Sequence, residues 1–334
     1  MNYRFFIGIF MIMALVPLLV IGSFSYWIDP LWSFSHKHAY NDVQAVIDER
    51  QQKVNELYFG KPDYDTLLIG SSRTTYVPAD QFKDMKVYNF SASDLSFLEY
   101  RPMIEFAQQQ NDRPFERIIL GVDFFKSSIY QSENAVDLAP YIQTAEEPFY
   151  RWKNLISLDV LDYSKRNYEW SKENARKALR QYNRENIAEA KVFEQATIEK
   201  ETKAKIQKFR TEFYGEHYKY DPRLKEELLA IQEAYPNAEL IVFTTPISTP
   251  LYEALIEEGN FDDYKRWLAD IESASDTLYH FMYPNSVTND LSNYFDGHHF
   301  YPKIGAKIAH TISTGEVEGD FGEVLLKETS RGTN

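Results

Sequence analysis

No charged side chain interrupts residues 5–27, which read FFIGIFMIMALVPLLVIGSFSYW. About 20 apolar residues suffice to cross a bilayer's hydrocarbon layer, so this pattern predicts a membrane-spanning helix within residues 1–28. Arg4 precedes it, Tyr26 and Trp27 fall where an interfacial aromatic belt would lie, and Pro17 is tolerable inside such a helix. A second reading is a cleaved signal peptide, with Ser23-Phe24-Ser25 as a small-residue cleavage site. The length of the stretch and its bulky aromatic end favour the anchor. Both readings export the rest of the chain, to the periplasm or cell surface.

Beyond a connector at 29–63, which carries the helical pattern NDVQAVIDERQQKVNELYFG closed by Gly60, the apolar runs shorten. Thr66-Leu67-Leu68-Ile69, KVYNF (86–90), FERIILGVDFF (115–125), NAELIVFTTPI (237–247) and TLYHFMY (277–283) have the length and β-branched content of buried strands. Between them lie helical patterns. FLEYRPMIEFAQQQN places Leu98, Met103, Ile104 and Phe106 on one face, and DPRLKEELLAIQEAYP and DDYKRWLADIESAS repeat the period. Strands alternating with helices predict βαβ units and a parallel sheet over residues 64–315. Residues 150–220 break the alternation. The stretch from Ser171 to Tyr218, rich in Ala, Glu, Lys, Gln and Arg without Pro, predicts a long, mostly exposed helical insert or helical hairpin. The acidic, Gly-containing tail at 316–334 is expected to be loose.

Composition narrows the function. A net charge of −14, from 50 acidic against 36 basic residues, argues against a nucleic-acid binder, which must meet phosphates with a basic face. The absence of cysteine excludes disulfide scaffolds, thiolate zinc sites and cysteine nucleophiles. The 24 Tyr and 23 Phe suit sugar handling or a membrane setting, and an aromatic-rich core accounts for them equally.

The candidate chemistry begins where the first strand ends, at Gly70-Ser71-Ser72-Arg73. A strand-to-helix turn with a serine cap is one reading. The other is a nucleophilic serine at the carboxyl edge of an open α/β sheet, which requires a base and an acid to orient that base. FDGHHF, near the far end, offers both. Asp296 and His299, three residues apart, allow the carboxylate to accept the imidazole Nδ1–H and leave Nε2 for a nucleophile. A helix cap beside surface histidines is the alternative. His298 and His299 lack further clustered ligands, so no metal site is expected. His36, His38, His217, His280 and His310 have no recognisable partners. Thr244-Thr245-Pro246 ends a strand at the same edge, and Trp152, Trp170 and Trp267 offer sugar-stacking faces or core packing.

Gly70-Ser71-Ser72-Arg73 and Asp296-Gly297-His298-His299, in this order around an α/β domain, resemble the SGNH (GDSL-type) hydrolase superfamily. More narrowly, they resemble its membrane-anchored envelope branch, which includes the alginate O-acetylation proteins and the D-alanyl-lipoteichoic acid transfer protein. The resemblance covers residues 64–312 and implies a three-layer α/β/α fold. It also implies Ser72 as nucleophile, His299 as base, Asp296 as orienting acid and no cofactor. The substrate implied is a cell-envelope or exported polysaccharide together with an acyl donor, handled beside a multispanning membrane acyltransferase. Transfer and hydrolysis both remain open, as does a non-catalytic envelope protein with a degraded site. The family's Asn-x-Gly block matches Asn89-Phe90-Ser91, which implies an oxyanion role for the Ser91 N–H. Gly121-Val122-Asp123-Phe124 departs from the family's Gly-x-Asn-Asp. An ionised Asp123 has no N–H to donate, so either Arg73 serves as a cationic donor or Asp123 binds and positions Arg73.

Overall fold

The computed structural model describes residues 3–326 and divides into two compact units, 3–61 with 138–191 and 62–137 with 192–326. The larger unit is a mixed α/β fold. Its sheet contains β1 (Thr66–Gly70), β2 (Val87–Asn89), β3 (Arg117–Val122), β4 (Glu239–Thr244), β5 (Thr277–His280) and β6 (Glu323–Leu326) in the order β2-β1-β3-β4-β5-β6. The first five strands are parallel and β6 runs antiparallel to β5. All residues of β1 and β5 are buried, and so are all but the first of β3 and β4. That is the burial expected of parallel strands covered by helices on both faces. The helices of this unit, among them α3 (Tyr100–Gln110), α6 (Arg223–Ala234), α7 (Thr249–Glu257) and α8 (Phe261–Ser273), make the outer layers of a three-layer α/β/α arrangement.

Strand order reverses between β1 and β3, the position at which open α/β sheets form a crevice at their carboxyl edge. The register aligns that edge: Gly70 pairs with Gly121, Val122 with Thr244 and Thr244 with His280. Residues following β1, β3 and β4 therefore emerge side by side.

The smaller unit holds the apolar helix α1 (Tyr3–Ile28), which is long and apolar enough to span a membrane. It also holds α2 (Glu49–Phe59), α4 (Leu158–Glu173) and a small antiparallel sheet of residues 44–45, 181–182 and 188–189. Its interior is partly ionic. Asp29 accepts from the Ser33 and Phe34 N–H groups and pairs with Arg184 at 2.9 Å, yet burial raises its pKa to about 6.

Two stretches carry detail that the sequence pattern does not give. The stretch from Ser171 to Tyr218 is not continuous helix: α4 ends at Asn174 in the left-handed conformation, and a hairpin precedes α5 (Gln195–Glu212). Turn chemistry overrides helix propensity here, because Asn183 Oδ1 accepts from both Glu185 and Ile187 N–H while Asn186 takes φ +57°. The tail is not loose over its first part, since β6 completes the sheet edge beside β5. Residues 327–334 lie outside the described residues.

His280 shows how the sheet's edge constrains titration. It is buried at the end of β5, with Nδ1 at 2.9 Å from Thr244 Oγ1 and Nε2 at 3.0 Å from the Tyr264 hydroxyl. Burial lowers its pKa to about 4 from an ordinary 6.5. A folded state that resists this proton is fully stabilised above the unfolded pKa and loses that stability as pH falls through the folded one. Urea unfolding followed by fluorescence should lose roughly 3 kcal/mol from this group between pH 6.5 and 4. The loss should be absent from the pH slope of His280→Gln. Parallel slopes for the two proteins would refute the linkage.

Candidate active site

The turn after β1 is seated directly on the sheet. Thr74 and Thr75 N–H donate to the Ser71 carbonyl at 3.0 and 3.3 Å, opening a short 3₁₀ helix at Thr74–Tyr76. A Cβ on Gly70 would lie 2.2 Å from Thr74 Oγ1, and one on Gly121 2.1 Å, so the close approach needs glycine on both strands. Asn89 holds the turn from β2, its Nδ2 donating to the Thr74 and Val77 carbonyls at 3.0 and 3.1 Å. Ser71 is buried and its Oγ accepts from the Arg73 N–H, whereas Ser72 is only half-buried.

The other half of the site is a reversal at residues 294–300. Tyr294 and Phe300 form a β-bridge, and Phe295 N–H donates to the His299 carbonyl at 3.1 Å. Gly297 turns the chain at φ +72°, and a Cβ there would meet Thr202 Cγ2 at 2.6 Å. The reversal brings Asp296 under His299. Asp296 Oδ1 accepts from the His298 and His299 N–H groups at 3.0 and 2.7 Å, and Oδ2 lies 2.9 Å from His299 Nδ1. His299 Nε2 then lies 3.0 Å from Ser72 Oγ. Phe295 stacks on the imidazole with ring centroids 5.2 Å apart, which fixes its plane. The helix that follows, α9 (Pro302–Thr314), locks the two halves together, since a Cβ on its Gly305 would lie 2.0 Å from the Tyr76 carbonyl oxygen.

Ser72, His299 and Asp296 thus form one continuous hydrogen-bonded chain. His298 does not join it: its ring is buried against Phe125 and Phe209 at 5.3 and 4.8 Å. Burial, with the Arg73 charge, holds the His298 pKa well below the usual histidine value, so it stays neutral. Among the described residues no group of three or more His, Asp or Glu side chains converges into a metal site.

One participant carries no sequence signal. Lys205 on α5 reaches Asp296 Oδ2 at 3.0 Å, although it belongs to a run that reads as a solvated charged face. Burial pushes the Asp296 carboxyl up, but His299, His298 and Lys205 more than offset this and hold it well below the usual carboxylate range. The acid is ionised throughout any physiological range.

The oxyanion side differs from expectation. The Ser91 N–H donates to Asn89 Oδ1 at 3.0 Å, so the Asn89 side chain engages the very donor expected to face an oxyanion. Of the two readings of Asp123, the structure contains the second: Arg73 pairs with Asp123 at 2.8 Å with both side chains about 1% exposed. Thr245 Oγ1 donates to Asp123 Oδ1 at 2.5 Å, and the guanidinium lies over Phe125 at 5.4 Å. Arg73 is therefore buried behind the turn rather than presented beside Ser72. Thr244 instead serves the sheet, its Oγ1 accepting from the Phe281 and Met282 N–H groups. Trp267 is core, fully buried, and Trp152 and Trp170 belong to the smaller unit.

No family model matches the chain, and no curated protein matches it. Among solved structures it is similar to a Streptococcus pneumonia protein provisionally described as a platelet activating factor. The identity is 10%, with 79% of this chain and 88% of that chain covered and a TM-score of 0.36. A likeness at that level contributes nothing to assigning chemistry here.

The Arg73–Asp123 pair should behave as a buried ion pair does. Breaking it with Asp123→Leu alone leaves an uncompensated charge and should cost about 3–5 kcal/mol in urea unfolding. The double variant Arg73→Met/Asp123→Leu should recover most of that. Additive losses in the double variant would mean that the pair is not coupled.

Proposed function

We propose that this chain is an exported, serine-dependent acyl-ester enzyme of the SGNH type, acting as an O-acyltransferase or esterase on a cell-envelope or exported polysaccharide. The observation that carries the reading is the hydrogen-bonded chain from Ser72 Oγ through His299 to Asp296. In this mechanism His299 Nε2 takes the Ser72 proton as Oγ attacks the acyl carbonyl. Asp296 holds the Nδ1–H and stabilises the imidazolium that forms. His299 then returns the proton to the departing alkoxide, leaving the acyl group esterified to Ser72. A sugar hydroxyl, in transfer, or water, in hydrolysis, is deprotonated by His299 and releases the acyl group. The chemistry calls for no metal or organic cofactor. Similarity to envelope O-acetylation proteins favours transfer, with α1 as the anchor, the larger unit outside the cytoplasm and a multispanning membrane acyltransferase as the donor-side partner.

A second reading has its own observation. With the Ser91 N–H engaged by Asn89 and a carboxylate at Asp123, the two expected oxyanion donors are lost. A donor-poor site lowers the rate of acyl transfer, and in the limit leaves a non-catalytic polysaccharide assembly or binding protein.

A fluorophosphonate probe and p-nitrophenyl acetate separate the readings, because only an activated serine reacts. The unmutated protein should be labelled, and Ser72→Ala should abolish both labelling and turnover while Ser71→Ala retains a measurable fraction. His299→Ala should lower reactivity by about 10² to 10⁴-fold, the usual effect of a lost general base. His298→Ala should cost much less. An unmutated, folded protein that takes up no probe would leave the binding reading in place. Equal losses in the two histidine variants would undo the assignment of the base.

A further inference from the structure

The smaller unit exposes large apolar side chains outside α1. Trp152 is 50% exposed, Ile156 49% and Leu158 70%, all within one ten-residue stretch, 149–158, that ends at the start of α4. Phe149 opens the stretch, 78% exposed and at φ +61°, a conformation that bulky residues rarely adopt. A cluster of this kind in a soluble setting would be an aggregation hazard. Its neighbours place it elsewhere.

The aromatic belt of α1 gives the level. Trp27 stacks on His38 with ring centroids 4.7 Å apart, and its carbonyl, at the C-terminal end of α1, lies 3.0 and 2.7 Å from His36 and His38 Nε2. Tyr26 packs on Phe34 at 4.7 Å, and Phe34 on Trp152 at 5.3 Å, so Trp152 continues the belt. Residues 155–156 sit lower. A Cβ on Gly22 would touch Ile156 Cγ2 at 3.7 Å and Leu155 Cβ at 3.9 Å. Gly22 precedes Trp27 by five residues, about 7.5 Å along a helix axis. From there α4 climbs back, since Tyr168, ten residues after Leu158, packs on Phe24, Trp27 and Tyr40.

We propose that residues 149–158 are a second membrane-contacting element, which inserts Ile156 and Leu158 into the acyl-chain region beside α1 and sets Trp152 at the headgroup level. The occupant of this surface is lipid. The argument is continuity: the patch lies against the outer end of the apolar helix, at the depth of roughly 5–10 Å typical of interfacial apolar faces. Arg151, stacked over Phe34 and Trp152 at 5.4 and 5.2 Å, supplies a cation at headgroup height. The inference rests on α1 spanning the membrane. Two attachment points rather than one would restrict how the smaller unit tilts on the bilayer.

The chain has no cysteine, so single cysteines can be introduced and spin-labelled without background. The full chain, reconstituted in phosphatidylcholine–phosphatidylglycerol vesicles, would carry labels at Ile156→Cys or Leu158→Cys. Met13→Cys in α1 and Lys172→Cys near the end of α4 serve as references. Labels at 156 and 158 should resemble the one at 13, with high oxygen collision and nickel-chelate collision several-fold lower than at 172. Nickel-accessible labels at 156 and 158, with 13 still oxygen-dominated, would overturn the proposal and leave the anchor intact. Shielding of 156 and 158 from both reagents would overturn it in favour of a protein contact. A nickel-accessible label at 13 would overturn the anchor and, with it, this inference.

Discussion

The site depends on one steric constraint: two glycines, Gly70 and Gly121, face each other across β1 and β3 at the carboxyl edge of the sheet. Without side chains there, Thr74 settles onto the strand ends and the turn bearing Ser72 is drawn down to the backbone. Asn89 reinforces this from β2, and Gly305 lets α9 press on the same turn. The segment that carries His299 is covalently tied to α9, so the contact that seats the serine turn also sets its distance to the imidazole. A hydrogen bond between residues 227 positions apart is thereby fixed by packing rather than by the bond itself.

Charge is arranged around this geometry in two opposed pairs. Asp123 and Arg73 cancel behind the turn, where neither meets water. Asp296 is shared among two backbone N–H groups, His299 and Lys205. That sharing has a chemical consequence. Lys205 helps to order the carboxylate whose Oδ2 also meets His299 Nδ1, so the imidazole is held by an acid that is itself held from α5. Neutral His298 fits beside the pair because a second buried cation would add repulsion to Arg73 and His299 alike.

What the sequence made legible was local. Short apolar runs ended by Gly70 and by Thr244-Thr245 mark strands wherever burial on both faces demands continuous apolar residues. The spacing of Asp296 and His299 is legible for the same reason, since the reversal needs only Gly297 and the bridge of Tyr294 to Phe300. Non-local choices were hidden. Nothing in the Lys-rich run of α5 distinguishes Lys205 from its solvated neighbours, because the distinction is made by Asp296, far along the chain. Nor does the composition of 171–218 announce that Asn174 and Asn183 break it. The strand at Glu323–Leu326 is hidden because its apolar run, Val324-Leu325-Leu326, is too short to stand out from an acidic, Gly-containing tail, and it becomes a strand only by pairing with β5.

Seen as a set, the contacts of residues 73, 89 and 123 around the Ser72 turn are one arrangement rather than several. A carboxylate at Asp123 cannot be buried alone, because an unpaired ion in a dry interior is prohibitively costly. It requires a cation of matching reach, which Arg73 supplies from the position next to Ser72. A guanidinium drawn inward there cannot also extend beside the Ser72 hydroxyl, so the turn's one cation is committed to neutralising the acid. Asn89, bonded to the Thr74 and Val77 carbonyls through Nδ2, has its Oδ1 left to accept the Ser91 N–H. The turn is stiffened and the expected donors are engaged by the same few residues. Rigidity of the Ser72 turn and the supply of free donors beside its hydroxyl therefore compete in this chain, and the residues at 73, 89 and 123 resolve the competition toward rigidity.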